Sequence, residues 1–296
     1  MSRRGAPPGE PRLVGYLYIA PALIVFALFF LVPLGHGVWL SFFEWDGLSL
    51  GRWVGGANYV AVLTEPELRA PFLHACVLII FFSLLPVTFG VALAAALHRT
   101  QPRGRSVLQA VIFLPQVIAL TVVAVAWREI LAPDGPLSTV LRAVGLPTPP
   151  GGWLGNEQWA LPSIGLVGVW LGTGLCVVLF LSGLAKIPAE RYEAARLDGA
   201  GPVAEFFAVS LPSLRGELAV ALTLTIIAAL RTFDLIYLMT GGGPARASAV
   251  PAFEVYDRAM QKGEVGTGVT IALLLTVVIL AVTVIVNRLV DDRSGS

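Results

Sequence analysis

The 296-residue sequence predicts an all-α, polytopic membrane protein with six transmembrane helices and both termini in the cytoplasm. Three observations carry that reading. Hydrophobic residues make up 56% of the chain and charged residues 13%, with a mean hydropathy of +0.79, far from the composition of soluble domains. Six segments are apolar over the roughly 20 residues that a helix needs to cross a hydrocarbon core about 30 Å thick. The basic residues are also biased to one side. With the N-terminus inside, the inner pieces hold Arg3, Arg4, Arg12, Arg99, Arg103, Arg105, Lys186, Arg191, Arg196, Arg215, Arg288 and Arg293. The outer pieces hold only Arg52, Arg69, Arg128, Arg142, Arg246, Arg258 and Lys262.

In chain order, residues 1–13 form a cytoplasmic tail and residues 14–290 one six-helix transmembrane domain, closed by a second tail at 291–296. Span 1, about 14–38, follows a basic opening, but its apolar run exceeds a signal-peptide core and lacks a cleavage site, so it is read as retained. Spans 2 to 6 fall at about 72–97, 106–128, 160–184, 218–240 and 266–289. The connectors "FFEWDGLSLGRWVGGANY" and "LPTPPGGWLGNEQW" are too poor in apolar pattern to fold as separate domains. Trp39, Trp45, Trp53, Trp127, Trp153 and Trp159 fall near the outer interface, where amphipathic rings are stable. Pro21, Pro33, Pro86, Pro115 and Pro162 interrupt spans 1 to 4. Each removes a backbone donor, which ordinary bundle packing can absorb and which transport could use as a hinge.

The loop 185–216 between spans 4 and 5 differs in kind from the other connectors. In "KIPAERYEAARLDGAG", Pro188 suits the first turn of a helix, Ala189 to Asp198 are mostly strong helix formers, and Gly199 or Gly201 can end it in the left-handed region. Pro202 opens a second short helix to about Ala208, which "LPSL" is expected to break. Ala194 and Ala195 leave one face of the first helix without bulk, and Arg191, Glu193, Arg196 and Asp198 rim it with both signs of charge. Such a helix suits a cleft in a partner protein. An interfacial helix lying on lipid would instead show a broad apolar face and a Lys/Arg-rich polar face.

The stretch "EAARLDGAGPVAEFFAVSLP" resembles the signature loop of the inner-membrane permease subunits of binding-protein-dependent ABC importers. The matching residues are Glu193, Ala194, Ala195, Gly199, Leu211 and Pro212, with Val209 standing where that family usually has isoleucine. "KIPAERYEAARLDGA" and "FDLIYLMTGGGP", Phe233 to Pro244, are similar to the carbohydrate branch, in particular the first permease of a maltose or glycerol-phosphate-type pair. The resemblance implies an ABC type I importer permease fold. It further implies that the loop is a coupling helix seated on an ATP-hydrolysing subunit, docking through Glu193, Ala194, Ala195, Arg196, Asp198, Gly199, Leu211 and Pro212.

Other functions are disfavoured by what the residues lack. A net charge of +1 with scattered basic residues offers no footprint for nucleic acid. Without a G-x-x-x-x-G-K-[ST] run this chain is not expected to bind ATP, so it is taken as non-catalytic and cofactor-free, with ATP and Mg held by a partner ATPase. Cys76 and Cys176 lie in apolar segments, and His36, His74 and His98 are too dispersed for a metal site. "TGGGPARAS" lacks the strand-to-helix setting of a phosphate loop and is read as an outer turn that helps shape the surface met by a binding protein.

A solute path is sought on spans 4 and 5. Thr225, Ala228, Ala229 and Thr232 recur at helical spacing as a small, hydroxyl-bearing face, and Gly168, Gly172 and Leu175 make a comparable stripe. Close helix packing favours the same small residues, and the two readings weigh equally. Arg231 and Asp234, three apart, are expected to satisfy each other as an i,i+3 ion pair, with Arg231 open to a role toward a charged solute. The expected partners are a second homologous permease, two ATP-binding subunits, an extracytoplasmic solute-binding protein and the lipid bilayer, in a bacterial or archaeal cytoplasmic membrane. The rival is an ion-coupled secondary transporter, which would show buried acidic relays or inverted repeats; neither is visible here.

Overall fold

The computed structural model describes residues 12–291. The two expected tails lie almost wholly outside the described residues; of them only Arg12, Leu13 and Asp291 are described, all three in helix. The first helix, α1, spans residues 12–40 and is followed by a two-residue β ladder, β1 Phe43–Glu44 with β2 Arg52–Trp53, paired Phe43 to Trp53. Helices α2 Ala57–Thr64, α3 Pro66–Thr100, α4 Arg105–Val117, α5 Leu120–Ile130, α6 Pro136–Ala143 and α7 Ala160–Leu184 come next. The expected loop contains α8 Ala189–Leu197 and α9 Pro202–Ser213; α10 Arg215–Leu230, α11 Asp234–Met239, α12 (residues 251–261) and α13 Val265–Asp291 complete the chain.

Four of these helices, α1, α3, α7 and α13, are long and apolar enough to cross a membrane, and two bent pairs, α4 with α5 and α9 with α10, bring the number to six if each pair is one span. Two expected spans need correction. Span 3 is not a single rod: α4 and α5 meet at 96°, with Ile118 and Ala119 extended between them. Pro115 removes a helix donor there, the chain tightens to a 3₁₀ turn over Leu114–Val117, and the Gln116 side-chain amide donates to the Leu171 carbonyl of α7. Span 5 stops as helix at Leu230, unwinds over residues 231–233 and resumes as the short α11.

Proline acts differently in the other long helices, which continue past it. Five-residue π turns at Ala27–Leu31, Ile80–Leu84 and Phe206–Ser210 each end two residues before Pro33, Pro86 and Pro212. The wider turn takes up the missing donor and the clash of the ring with the preceding turn. Pro162 sits in the first turn of α7, where no intrahelical donor is lost.

The bundle is centred on α7, half of whose most apolar window is buried, whereas none of the corresponding window of α1 is. Glycine permits this. A Cβ on Gly90 of α3 would lie 2.4 Å from the Cys176 Cβ, and one on Gly168 would overlap the Phe82 ring. Between α3 and α10, the Ser83 hydroxyl meets the Thr225 hydroxyl at 2.6 Å in a buried site.

At the end opposite the loop, Trp39, Phe42, Phe43, Trp53 and Tyr59 form one aromatic cluster around the β ladder. The turn after α11 has left-handed residues at Gly241, Gly242, Ala245 and Arg246. Arg246 pairs with Glu254, which is fully buried, and with Asp257 at 3.3 Å. Arg258 reaches the same Glu254 at 3.6 Å and Glu67 at 3.1 Å. Burial pushes the Asp257 carboxyl up, but Lys262 and Arg246 together hold it below the usual value. A charge network thus pins the glycine-rich turn to α3 and α12.

Candidate coupling loop and membrane cavity

The loop folds as helix, turn, helix. At the end of α8 the Gly199 N–H bonds the Arg196 carbonyl at 3.0 Å and the Ala200 N–H bonds the Ala195 carbonyl at 2.9 Å. These two bonds make a Schellman turn, for which Gly199 takes φ +82°. A Cβ there would touch nothing within 4 Å, so the glycine is required by its dihedral and not by crowding. The second helix runs further than expected: the π turn carries it past Pro212 to Ser213, and the chain turns by 71° into α10 at Leu214. Leu214 is fully buried and packs where Gly183 has no side chain, which fixes the corner.

No residue of α8 is buried. Glu193, Ala194, Arg196, Asp198 and Gly199 are exposed, Ala195 is half-buried, and Glu193 has no salt bridge among the described residues. Ala194 borders a groove of about 420 Å³ that also includes Arg191, Val209 and Pro212. Leu211, by contrast, packs toward the core beside Leu214. Arg196 has a partner within the loop: its Nε donates to Glu205 Oε2 at 2.8 Å, and Arg99 Nη1 of α3 lies 3.5 Å from Glu205 Oε1. The Arg196 hydrogen bond pulls the Glu205 pKa below its ordinary value; burial opposes this, and the charges of Arg196 and Arg99 add to the lowering.

Five of the six expected pathway residues line one cavity of about 430 Å³. They are Gly172, Leu175, Thr225, Ala228 and Thr232, joined by Phe82, Gln116, Arg231, Phe233 and Asp234. The volume falls in the range of small-molecule sites, which combine an apolar lining with a few polar groups. Ala229 is absent from the lining and is 1% exposed, because it lies on the side of α10 that packs into the bundle. The threonine hydroxyls bond inward: Thr225 to the Ala221 carbonyl at 2.7 Å and Thr232 to the Ala228 carbonyl at 2.9 Å. Thr232 offers lone pairs, not a free donor, to the cavity, and the Thr225 oxygen is also engaged by the Ser83 hydroxyl.

The expected Arg231–Asp234 ion pair is not formed. An i,i+3 pair needs a continuous helix, and the break at residues 231–233 separates the two. Both side chains line the cavity, and neither has a salt bridge among the described residues.

Several residues on these surfaces carried no sequence signal. Glu205 reads as one more solvated acid, yet it is 6% exposed and bridges two arginines. Gln116 gains its place only through the break between α4 and α5. Leu197, Val203 and Phe207 stand 89%, 70% and 59% exposed on the loop. Large apolar side chains in a polar loop were the one available hint.

Residues 77–295 match the family described as "Binding-protein-dependent transport system inner membrane component". The chain is 34% identical over 277 residues to the probable ABC transporter permease protein YurN of Bacillus subtilis, covering 93% of this chain and 94% of that one. It is 33% identical over 281 residues to the trehalose/maltose transport system permease protein MalF of Thermococcus litoralis, covering 92% of each. The structure of a bacterial alginate ABC transporter, in complex with an alginate pentasaccharide-bound periplasmic protein, superposes with a TM-score of 0.80 at 20% identity over 96% of both chains, a likeness of fold. With its exposed helix–turn–helix and its apolar spans, the chain belongs to the inner-membrane component family of binding-protein-dependent transport systems.

Proposed function

We propose that this chain forms half of the translocation path of an ATP-driven importer for a sugar or sugar-like solute and couples to the ATPase through loop 185–216. A relative named for trehalose and maltose transport supports the solute class, and family membership disfavours the ion-coupled carrier. In this reading the chain pairs with a second permease, two ATP-binding subunits sit on the cytoplasmic side, and a binding protein delivers solute from outside. The membrane is the cytoplasmic membrane of a bacterium or archaeon, and ATP hydrolysis belongs to the partner subunits.

The observation that carries the coupling role is α8: a helix with no buried residue, tied to α9 by Arg196 and Glu205, in a chain this hydrophobic. Nothing in the chain's own core accounts for it, whereas a groove on a moving partner would. Glu193 is free to meet a basic or backbone donor there, Ala194 and Ala195 allow close seating, and Gly199 sets the angle to α9. ATP-driven closure brings the loops of the two permeases together, the halves rock, and the cavity opens outward; hydrolysis and product release reset it.

Within the cavity, Phe82 and Phe233 offer apolar faces to a sugar ring, while Gln116, Arg231 and Asp234 reach its hydroxyls. Charges at this depth are costly unless hydrated or engaged by solute. The test is uptake by proteoliposomes holding the full complex. Arg231→Ala and Asp234→Asn should raise the solute KM with binding-protein affinity unchanged. Uptake by this chain alone, without ATP or partners, would overturn the reading.

A further inference from the structure

We infer that Glu205 is a positioning residue that ties the coupling loop to α3, so that movement of the loop reaches the wall of the membrane cavity. The inference rests on the reading of the loop as the ATPase contact. Glu205 on α9 is nearly buried, takes the Arg196 guanidinium of α8 through both oxygens at 2.8 and 3.4 Å, and meets Arg99 in the last turn of α3 at 3.5 Å. One carboxylate therefore joins three helices.

The chain itself connects the loop to α7 through residues 185–188 and to α10 through Leu214; nothing covalent connects it to α3 nearby. Close packing there is partial: Phe206 and Leu211 of α9 pack against the core cluster that includes Ala94 and Leu97 of α3. Between the end of α3 and the loop helices lies a void of about 410 Å³, bordered by Ala92, Ala95 and Ala96 on one side and Pro202 and Val203 on the other. Across it stand the Glu205 bridge and the His98–Tyr192 ring contact at 6.0 Å. Small facing residues separated by a void can neither push nor pull. An ion bridge resists separation as well as approach, and here it acts on a carboxylate shielded from water.

Helix α3 then serves as the lever. It is continuous from Pro66 to Thr100, and Phe82, which lines the cavity, lies 17 residues from Arg99, about 26 Å at the rise of an α-helix. Pull on the loop is thereby delivered to α3 in step with α7 and α10. Without the bridge, pull on the loop reaches α3 only through packing, chiefly on α7.

The test uses the assembled complex in proteoliposomes, with Glu205→Gln, Arg99→Gln, Arg99→Lys and the Glu205→Gln/Arg99→Gln double variant. The expected result is ATP consumed per solute rising about fivefold to tenfold in either glutamine variant, the factor that an ordinary net hydrogen bond gives in a two-state equilibrium. The double variant should be no worse than Glu205→Gln, and Arg99→Lys should stay near the native ratio. Spin labels at Thr100→Cys and Leu197→Cys, with Cys76 and Cys176 replaced, give a readout that loop stability alone would not move. Their separation should hold constant on nucleotide binding in the native background and shift in Arg99→Gln, which leaves the Arg196–Glu205 bond in place. An unchanged ATP-to-solute ratio in Arg99→Gln, independent effects in the double variant, or a label separation that stays unmoved in Arg99→Gln would overturn the inference. Failure of the coupling reading itself would look different: Glu193→Lys would then leave uptake intact, whereas failure of the lever alone leaves Glu193→Lys uncoupled and Arg99→Gln silent.

Discussion

Replacing Gly90 by alanine places a methyl group 2.4 Å from the Cys176 Cβ, 3.2 Å from its carbonyl carbon and 3.3 Å from its Cα, at the contact of α3 with α7. Ordinary carbon contacts begin near 3.5 Å, so the two helices must separate by about 1 Å. Cys176 is fully buried in the middle of α7, so the strain cannot be relieved by turning a side chain toward solvent. Overpacking of this size costs about 1–3 kcal/mol, offset in part by the ~1 kcal/mol that alanine gains over glycine inside a helix. Cys176→Gly removes the nearest atom and leaves the 3.2 and 3.3 Å approaches, which call for a shift of only a few tenths of an ångström. The two changes should therefore compensate. In thermal unfolding of the purified protein in detergent, the double-mutant cycle should show an interaction of about 1 kcal/mol or more, worth roughly 2–4 °C. Additivity within about 0.5 kcal/mol would refute the claim that this glycine sets the α3–α7 distance.

Gly199→Asn should retain most coupled uptake and Gly199→Val should lose it with membrane insertion intact, because asparagine tolerates φ +82° and a β-branched residue does not; equal uptake by the two would contradict the dihedral argument. Glu254→Ala should lower stability by about 3 kcal/mol by leaving Arg246 and Arg258 short of their buried partner, and protection of the turn at 241–250 in hydrogen exchange should fall with it. Glu205 has a folded pKa below its ordinary 4.5, so its contribution is complete above that value and is lost as pH falls through the lower, folded one. Thermal stability measured between about pH 5 and 3 should therefore fall less steeply in Glu205→Gln than in the native chain.

What could be read in advance depended on how local the cause is. The turn at Gly199 was legible because a left-handed residue is a requirement of one position, and the apolar spans were legible because bilayer thickness sets their length. The break at Ile118 was hidden inside an unbroken apolar run, and the unwinding at residues 231–233 inside another. Hydropathy counts transfer energy and is blind to whether the backbone continues as helix. Glu205 was illegible for a second reason: one of its two arginine partners, Arg99, stands 106 positions earlier in the chain. Of the pathway stripe, the face was legible but its edge was not, since Ala228 opens to the cavity and its neighbour Ala229 is packed away.

The central claim is that α8 sits in a socket on the ATP-hydrolysing partner at the cytoplasmic face. It is tested most directly by a cysteine at Ala194 in a background without Cys76 and Cys176, probed by cross-linking in oriented membrane vesicles carrying the full complex. The account predicts a cross-link to the ATPase, with the free chain labelled by a membrane-impermeant maleimide only from the cytoplasmic side. Labelling from the outer side, or protection by lipid with no cross-link to the ATPase, would contradict it.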